Sequence, residues 1–187
     1  NEVESLYSSA AEYAVVLGQE QIGENYLARI QSPIKRESTY SRMAQAAAER
    51  GRLTYSYKLA LQGPRGSLLE ADTFHPLVTE ISKRGKYELA QRVARKVVSD
   101  DTYESLITNI VREALNNEHV DEARRLAESI TSEDYLSHAY TLIAEATNNI
   151  ELLNKAEKLA LQVSDGNIRQ ELLFEIYRVR KKLPDNI

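Results

Sequence analysis

Residues 107–130, ITNIVREALNNEHVDEARRLAESI, decide the fold. Their apolar and small side chains stand at Ile107, Ile110, Val111 and Ala114, and again at Val120, Ala123, Leu126, Ala127 and Ile130. Both groups follow the i, i+3, i+4, i+7 spacing of an amphipathic helix. Asn116 and Asn117 interrupt the pattern. The stretch therefore predicts a helix, a break and a second helix packed back on the first.

The same unit returns along the chain. Tyr40, Phe74, Ile107, Tyr140 and Leu173 follow one another at intervals of 34, 33, 33 and 33 residues. Three positions on stand Met43, Leu77, Ile110, Ile143 and Ile176, each followed by Ala44, Val78, Val111, Ala144 or Tyr177. In the second helix Leu59-Ala60, Val93-Ala94, Leu126-Ala127 and Leu159-Ala160 keep step. The spacing predicts an all-α chain of about five hairpins, over residues 3–33, 34–66, 67–99, 100–131 and 132–165, closed by a terminal helix over 167–182.

Element ends follow from local signals. Helices are expected over 3–17, 21–31, 35–50 and 52–62, then 86–98, 102–116, 119–130, 133–148 and 150–163. Ser32-Pro33 reads as an N-cap with a first-turn proline. Ser67 with Glu70, and Asp101 with Glu104, read as capping boxes. Pro76 is expected to bend or split its helix, which makes the third unit the irregular one. Arg180 takes the column held by Ala47, Ile81 and Ala114, as a solvent-facing terminal cap requires.

Composition agrees with helix and narrows function. Seven glycines and four prolines are too few for a loop-rich chain of 187 residues. No apolar run approaches the roughly 20 residues that span a bilayer, and no signal-peptide pattern appears. A soluble protein is expected, with the cytoplasm as its compartment. The net charge of −4 argues against a general nucleic-acid or membrane binder. Without cysteine there are no disulfides, thiolate zinc sites or cysteine nucleophiles. Asn1 at the first position points to a processed chain or an excised segment.

The period and columns resemble the tetratricopeptide repeat, a helix–turn–helix unit of 34 residues. Tyr40-Met43-Ala44 and Tyr140-Ile143-Ala144 match the family's order of aromatic, aliphatic and small residue in the first helix. Gly51 and Gly85 match its inter-helix glycine, and Ala90, Ala123 and Ala156 its second-helix alanine. The first-helix glycine is missing, and the closing proline is absent or displaced to Pro33 and Pro64. The resemblance implies an α-solenoid whose first helices line a concave groove. Polar residues after the aromatic column would face it: Ser41, Gln45, His75, Thr79, Lys83, Asn109, Arg112, Asn116, Thr141, Glu145 and Asn148.

Such a surface suits an extended peptide or protein segment, read by hydrogen bonds and a few charges. Asn109, Arg112 and Asn116 share one helix face at i, i+3, i+7, with Lys83 on the neighbouring helix. Asparagine amides beside two cations resemble the arrangement by which some family members grip a C-terminal carboxylate. The expected role is a non-enzymatic scaffold without metal or cofactor. Asp72 and His75 stand at i, i+3, with His138 two units on, but further ligands are lacking in local sequence. Glu133-Asp134 and Asp100-Asp101 sit at helix starts, where carboxylates favour the dipole. The other reading is a single-stranded RNA reader resembling the pentatricopeptide proteins. Glu12 and Glu145 stand in the relevant columns beside Arg112 and Arg178, which disfavours a phosphate backbone.

Overall fold

Eleven helices and no strand make up the chain among the residues that the computed structural model describes, 2–63, 65, 66 and 68–183. Two compact units divide it, residues 1–103 and 104–187.

The first unit holds α1 (Glu2–Val16), α2 (Glu20–Leu27), α3 (Pro33–Glu49), α4 (Leu53–Gln62), α5 (Leu68–Lys83) and α6 (Tyr87–Ala94). Its helices pair as hairpins α1–α2, α3–α4 and α5–α6. The first helices also pack on one another, α1 on α3 and α3 on α5, while α2 and α4 touch the first helix that follows. One core cluster runs through Ala11, Val15, Leu27, Met43, Ala44, Ala47 and Leu59. Small residues are required where helices approach at the short end of the 8–10 Å range. Ala44, Ala47, Ala60 and Ala94 are fully buried accordingly.

The second unit contains most of α7 (Asp100–Asn116), then α8 (Val120–Ala127), α9 (Glu133–Thr147), α10 (Ile150–Ala160) and α11 (Gly166–Arg180). Here α9 packs on α10 and α11, α10 on α11, and α8 on α9. Ala144, Leu153, Ala156, Ala160, Ile176 and Val179 form its core cluster.

Helices α1, α3, α5, α7 and α9 end in the same turn. Gly18, Gly51, Gly85, Glu118 and Asn148 all have positive φ, at 81°, 75°, 70°, 63° and 51°. The next residue's N–H reaches back to Ala14, Ala47, Ile81, Ala114 and Ala144 respectively, the long bond of a Schellman motif. In the last hairpin the turn comes three residues early, so α9 is short and α10 long. That compensation restores the register at Leu159-Ala160.

The second helices stop earlier than their apolar pattern predicts, at Leu27, Ala94, Ala127 and Ala160. The chain then tightens to i−3 bonding, as in Ile30 N–H to Leu27 O and Ile130 N–H to Ala127 O, both 3.1 and 3.0 Å. Ile30, Ile130 and Val163 stay buried in this turn, so hydrophobic periodicity outlasts the α-helix.

Caps differ in part from expectation. Ser32 accepts from Lys35 N–H at 3.4 Å with Pro33 in the first turn, as its sequence predicts. Ser132 holds the N-cap position of α9, but its hydroxyl donates to Asp134. Ser99, not Asp101, caps α7, accepting from Thr102 N–H at 3.2 Å. Glu104 turns away from that cap and accepts from Thr131 N–H and Thr131 Oγ1, at 3.1 and 2.7 Å. Ser67 and Pro64 lie outside the described residues, and Glu70 serves the same purpose as Glu104. It is fully buried, accepts from Val98 N–H at 3.1 Å and pairs with Arg65 Nε at 3.1 Å. Glu4 does likewise for Gln31 N–H and Ser32 N–H. In three of the hairpins a carboxylate from the first helix thus clamps the loop that closes the unit.

Pro76 does not split its helix: α5 runs unbroken from Leu68 to Lys83. Arg180, the expected cap charge, lies beside buried Val179 and donates to Glu157 and Asn154 at 2.8 and 2.9 Å. No helix among the described residues is long and apolar enough to cross a membrane.

Candidate functional site

Of the residues directly after the aromatic column, Ser8, Ser41, Thr108 and Thr141 are buried and His75 is half-buried. Thr141, expected in an open groove, donates to Ser137 O at 2.9 Å, whereas Ser41, though buried, still reaches the wall of a cleft. The next position along is occupied by Arg42, Pro76, Asn109, Leu142 and Glu175.

In the first unit these positions shape a cleft of about 540 Å³ between α3 and α5. Ser38, Arg42 and Gln45 line one wall, and Asp72, His75 and Pro76 the other. Gln45 and His75 thus line the same cleft. Arg42 donates to Ser8 and lies 3.7 Å from Glu12. Gln45 Nε2 donates to Glu49 at 2.9 Å. Asp72 is exposed. Pro76 has no N–H to give the carbonyl four residues back, so the Asp72 carbonyl lacks its helical donor. The wall therefore offers the Asp72 carboxylate beside a helix turn that lacks one backbone hydrogen bond. Thr79 turns inward, its hydroxyl donating to His75 O at 2.7 Å. Lys83 is exposed and holds Glu80 at 2.8 Å.

In the second unit a polar row crosses three first helices. Arg112 Nη2 on α7 lies 3.0 Å from His138 Nε2 on α9, and His138 Nδ1 lies 2.7 Å from Glu175 Oε2 on α11. A guanidinium only donates, so Nε2 accepts and the imidazole proton sits on Nδ1, donating to Glu175. Burial, the largest influence on Glu175, raises its pKa. The His138 hydrogen bond, with the nearby Arg178 and Arg112 charges, outweighs this and brings it below the ordinary carboxylate value.

Asn109 is half-buried on the same face of α7, and Asn116, at the helix end, is exposed. Glu145 is held by Lys182 at 2.6 Å. Asn148 caps α9 in the left-handed conformation and belongs to the turn. Arg112 is exposed, so an incoming carboxylate, a charged acceptor, competes favourably with the imidazole nitrogen for it.

No protein-family model, curated protein or solved structure matches this chain.

A larger cleft, about 930 Å³, lies on the second-helix side between α2 and α4. Its charges answer one another: Lys58 pairs with Glu24 at 2.7 Å and Arg52 approaches Glu20 at 4.0 Å. Tyr55 is pushed well above the ordinary phenol value, by burial first and then by Glu24 and Glu20. A neutral, buried phenol between paired charges is a packing element, so size alone does not make this cleft the site. Among the described residues no group of three or more His, Asp or Glu side chains is placed to hold a metal ion.

Sequence reasoning missed Ser38, Arg42 and Glu175. Arg42 and Glu175 stand two positions after the aromatic column, and Ser38 two positions before it.

Proposed function

We propose that this chain is an α-solenoid of helical hairpins, similar to tetratricopeptide repeats, and works as a non-enzymatic scaffold. It takes an extended peptide or protein segment along the faces of its first helices. Pro76 is the observation that carries this reading. A proline inside a helix costs about 3 kcal/mol, and here it lies in the α3–α5 cleft beside Asp72. Features that oppose stability concentrate where a surface is used. The freed Asp72 carbonyl gives a partner's backbone N–H an acceptor, while Gln45 and Arg42 supply donors from the opposite wall. Facing charges of both signs, Arg42 and Asp72, suit a polypeptide with amides and mixed side chains better than an RNA backbone.

The test is a selection of random peptides on the immobilised chain, followed by affinity measurement on Gln45→Ala and Asp72→Ala. Peptides that use the cleft bind each variant at least about tenfold more weakly, which is about 1.4 kcal/mol. Peptides that bind both variants like the wild type place recognition elsewhere and overturn the assignment.

A further inference from the structure

Leu53 and Tyr57 on α4, and Leu89 and Val93 on α6, each stand one turn apart on their helix. Together with Ile81 of α5 they line a groove of about 440 Å³ within the first unit. Ile81 and Val93 are buried and form its floor, Leu53 and Tyr57 are half-buried, and Leu89 is exposed. Thr54, Arg92 and Lys96 complete the lining.

The polar groups of this lining are of one kind. Arg92 and Lys96 are cations that only donate, and Thr54 and Tyr57 add two hydroxyls. No carboxylate lines the groove. Among the described residues neither cation has a side-chain partner. The C-terminal end of α6 favours cations here but carries only about half a negative charge, which leaves most of two positive ones unanswered. In a chain of net charge −4 that is a local exception.

Register explains it. Glu24, Lys58 and Arg92 follow one another at intervals of 34 residues. Between α2 and α4 this column brings Glu24 to Lys58 at 2.7 Å. One step on, the column supplies Lys58 where Glu24 stood, so Arg92 gains no carboxylate.

Length decides the occupant. The apolar lining spans one turn on each helix, about 6 Å. A docked amphipathic helix anchors over positions i to i+7, about 10 Å. A small molecule with one apolar body and one anionic group fits the shorter groove. Its acid group accepts charge-assisted hydrogen bonds from the guanidinium and the ammonium.

We propose that the groove between α4 and α6 binds a small amphiphilic carboxylate, its acid group on Arg92 and Lys96 and its apolar body along Leu53, Tyr57, Leu89 and Val93. The site lies on the second helices and is independent of the α3–α5 cleft.

Titration of the full chain with decanoate, below its micelle-forming concentration, and with naphthoate tests it by amide chemical shifts. At least one of the two acids moves the amides of Tyr57, Leu89, Val93 and Lys96 along one saturating curve. Arg92→Ala and Lys96→Ala each weaken that binding about tenfold or more. Lys155→Ala, which removes an exposed cation of α10, leaves it unchanged. Circular dichroism keeps its helical signal in all three variants. Decanol and naphthalene, the neutral probes, bind the wild type at least about tenfold more weakly than the corresponding acid. The proposal is overturned if neither acid gives saturating shifts in the groove, or if Arg92→Ala and Lys96→Ala bind like the wild type. Equal binding of acid and neutral probe overturns it too, as does an equal loss in Lys155→Ala, which marks general ionic attraction.

Discussion

His138 donates through Nδ1 to Glu175 at 2.7 Å and accepts through Nε2 from Arg112 at 3.0 Å. One imidazole thus joins three first helices of the second unit. Glu175 carries a pH effect of known sign. Its folded pKa is below the ordinary value, so its stabilisation is full above the unfolded pKa and is lost as pH falls through the folded one. Urea midpoints of the wild type should fall through this acid range more steeply than those of Glu175→Gln. Parallel curves would show that the Glu175 carboxylate is not held.

Pro76→Ala should separate stability from binding. Alanine restores the N–H that the Asp72 carbonyl lacks, and the gain in unfolding free energy is up to about 3 kcal/mol. A peptide selected on the wild type should bind this variant more weakly, because the acceptor is now taken. Higher stability with unchanged affinity would separate Pro76 from recognition.

Glu104→Ala tests the loop clamp. Removing the carboxylate leaves Thr131 N–H and its hydroxyl without their acceptor in a half-buried site. The expected loss is about 1–3 kcal/mol, read from chemical denaturation. The conservative Glu104→Gln keeps one oxygen and should recover part of it. Equal stability of Glu104→Ala and the wild type would mean that water replaces the clamp at no cost.

The helical class and the core positions of residues 107–130 were legible because burial follows their apolar spacing. Ile107, Ile110, Val111, Ala114, Leu126 and Ala127 are all fully buried. The glycine turns were legible at Gly51 and Gly85, where only φ is at stake. Glu118 and Asn148 do the same work without a glycine signature, so they escaped notice. Glu70 and Glu104 misled because a carboxylate three residues after Ser or Asp looks like a local cap. Their partners lie 28 and 27 residues away, a distance that no local pattern reports. Ser41 and Thr141 are buried although polar, because they are small enough for a helix contact. Arg112 was legible as a charge on a polar face. Its partner His138 was noted, but Glu175, on a third helix, was not.

Glu118→Gly should stabilise the α7–α8 turn. Glu118 is held at φ 63°, where a side chain costs about 1–2 kcal/mol and glycine little. Thermal or chemical denaturation should show a gain of up to about 1 kcal/mol after the extra entropy of glycine in the unfolded chain is subtracted. A loss would mean that the Glu118 side chain holds the turn through contacts that outweigh the backbone strain.

Amide chemical-shift mapping with a peptide selected on the wild-type chain tests the central claim most directly. Titration should perturb the amides of Arg42, Gln45, Asp72 and His75 on α3 and α5, and leave those of α2, α4 and α6 in place. Perturbations centred on the second helices, around Glu24, Arg52 and Lys58, with the α3–α5 cleft unmoved, would contradict it.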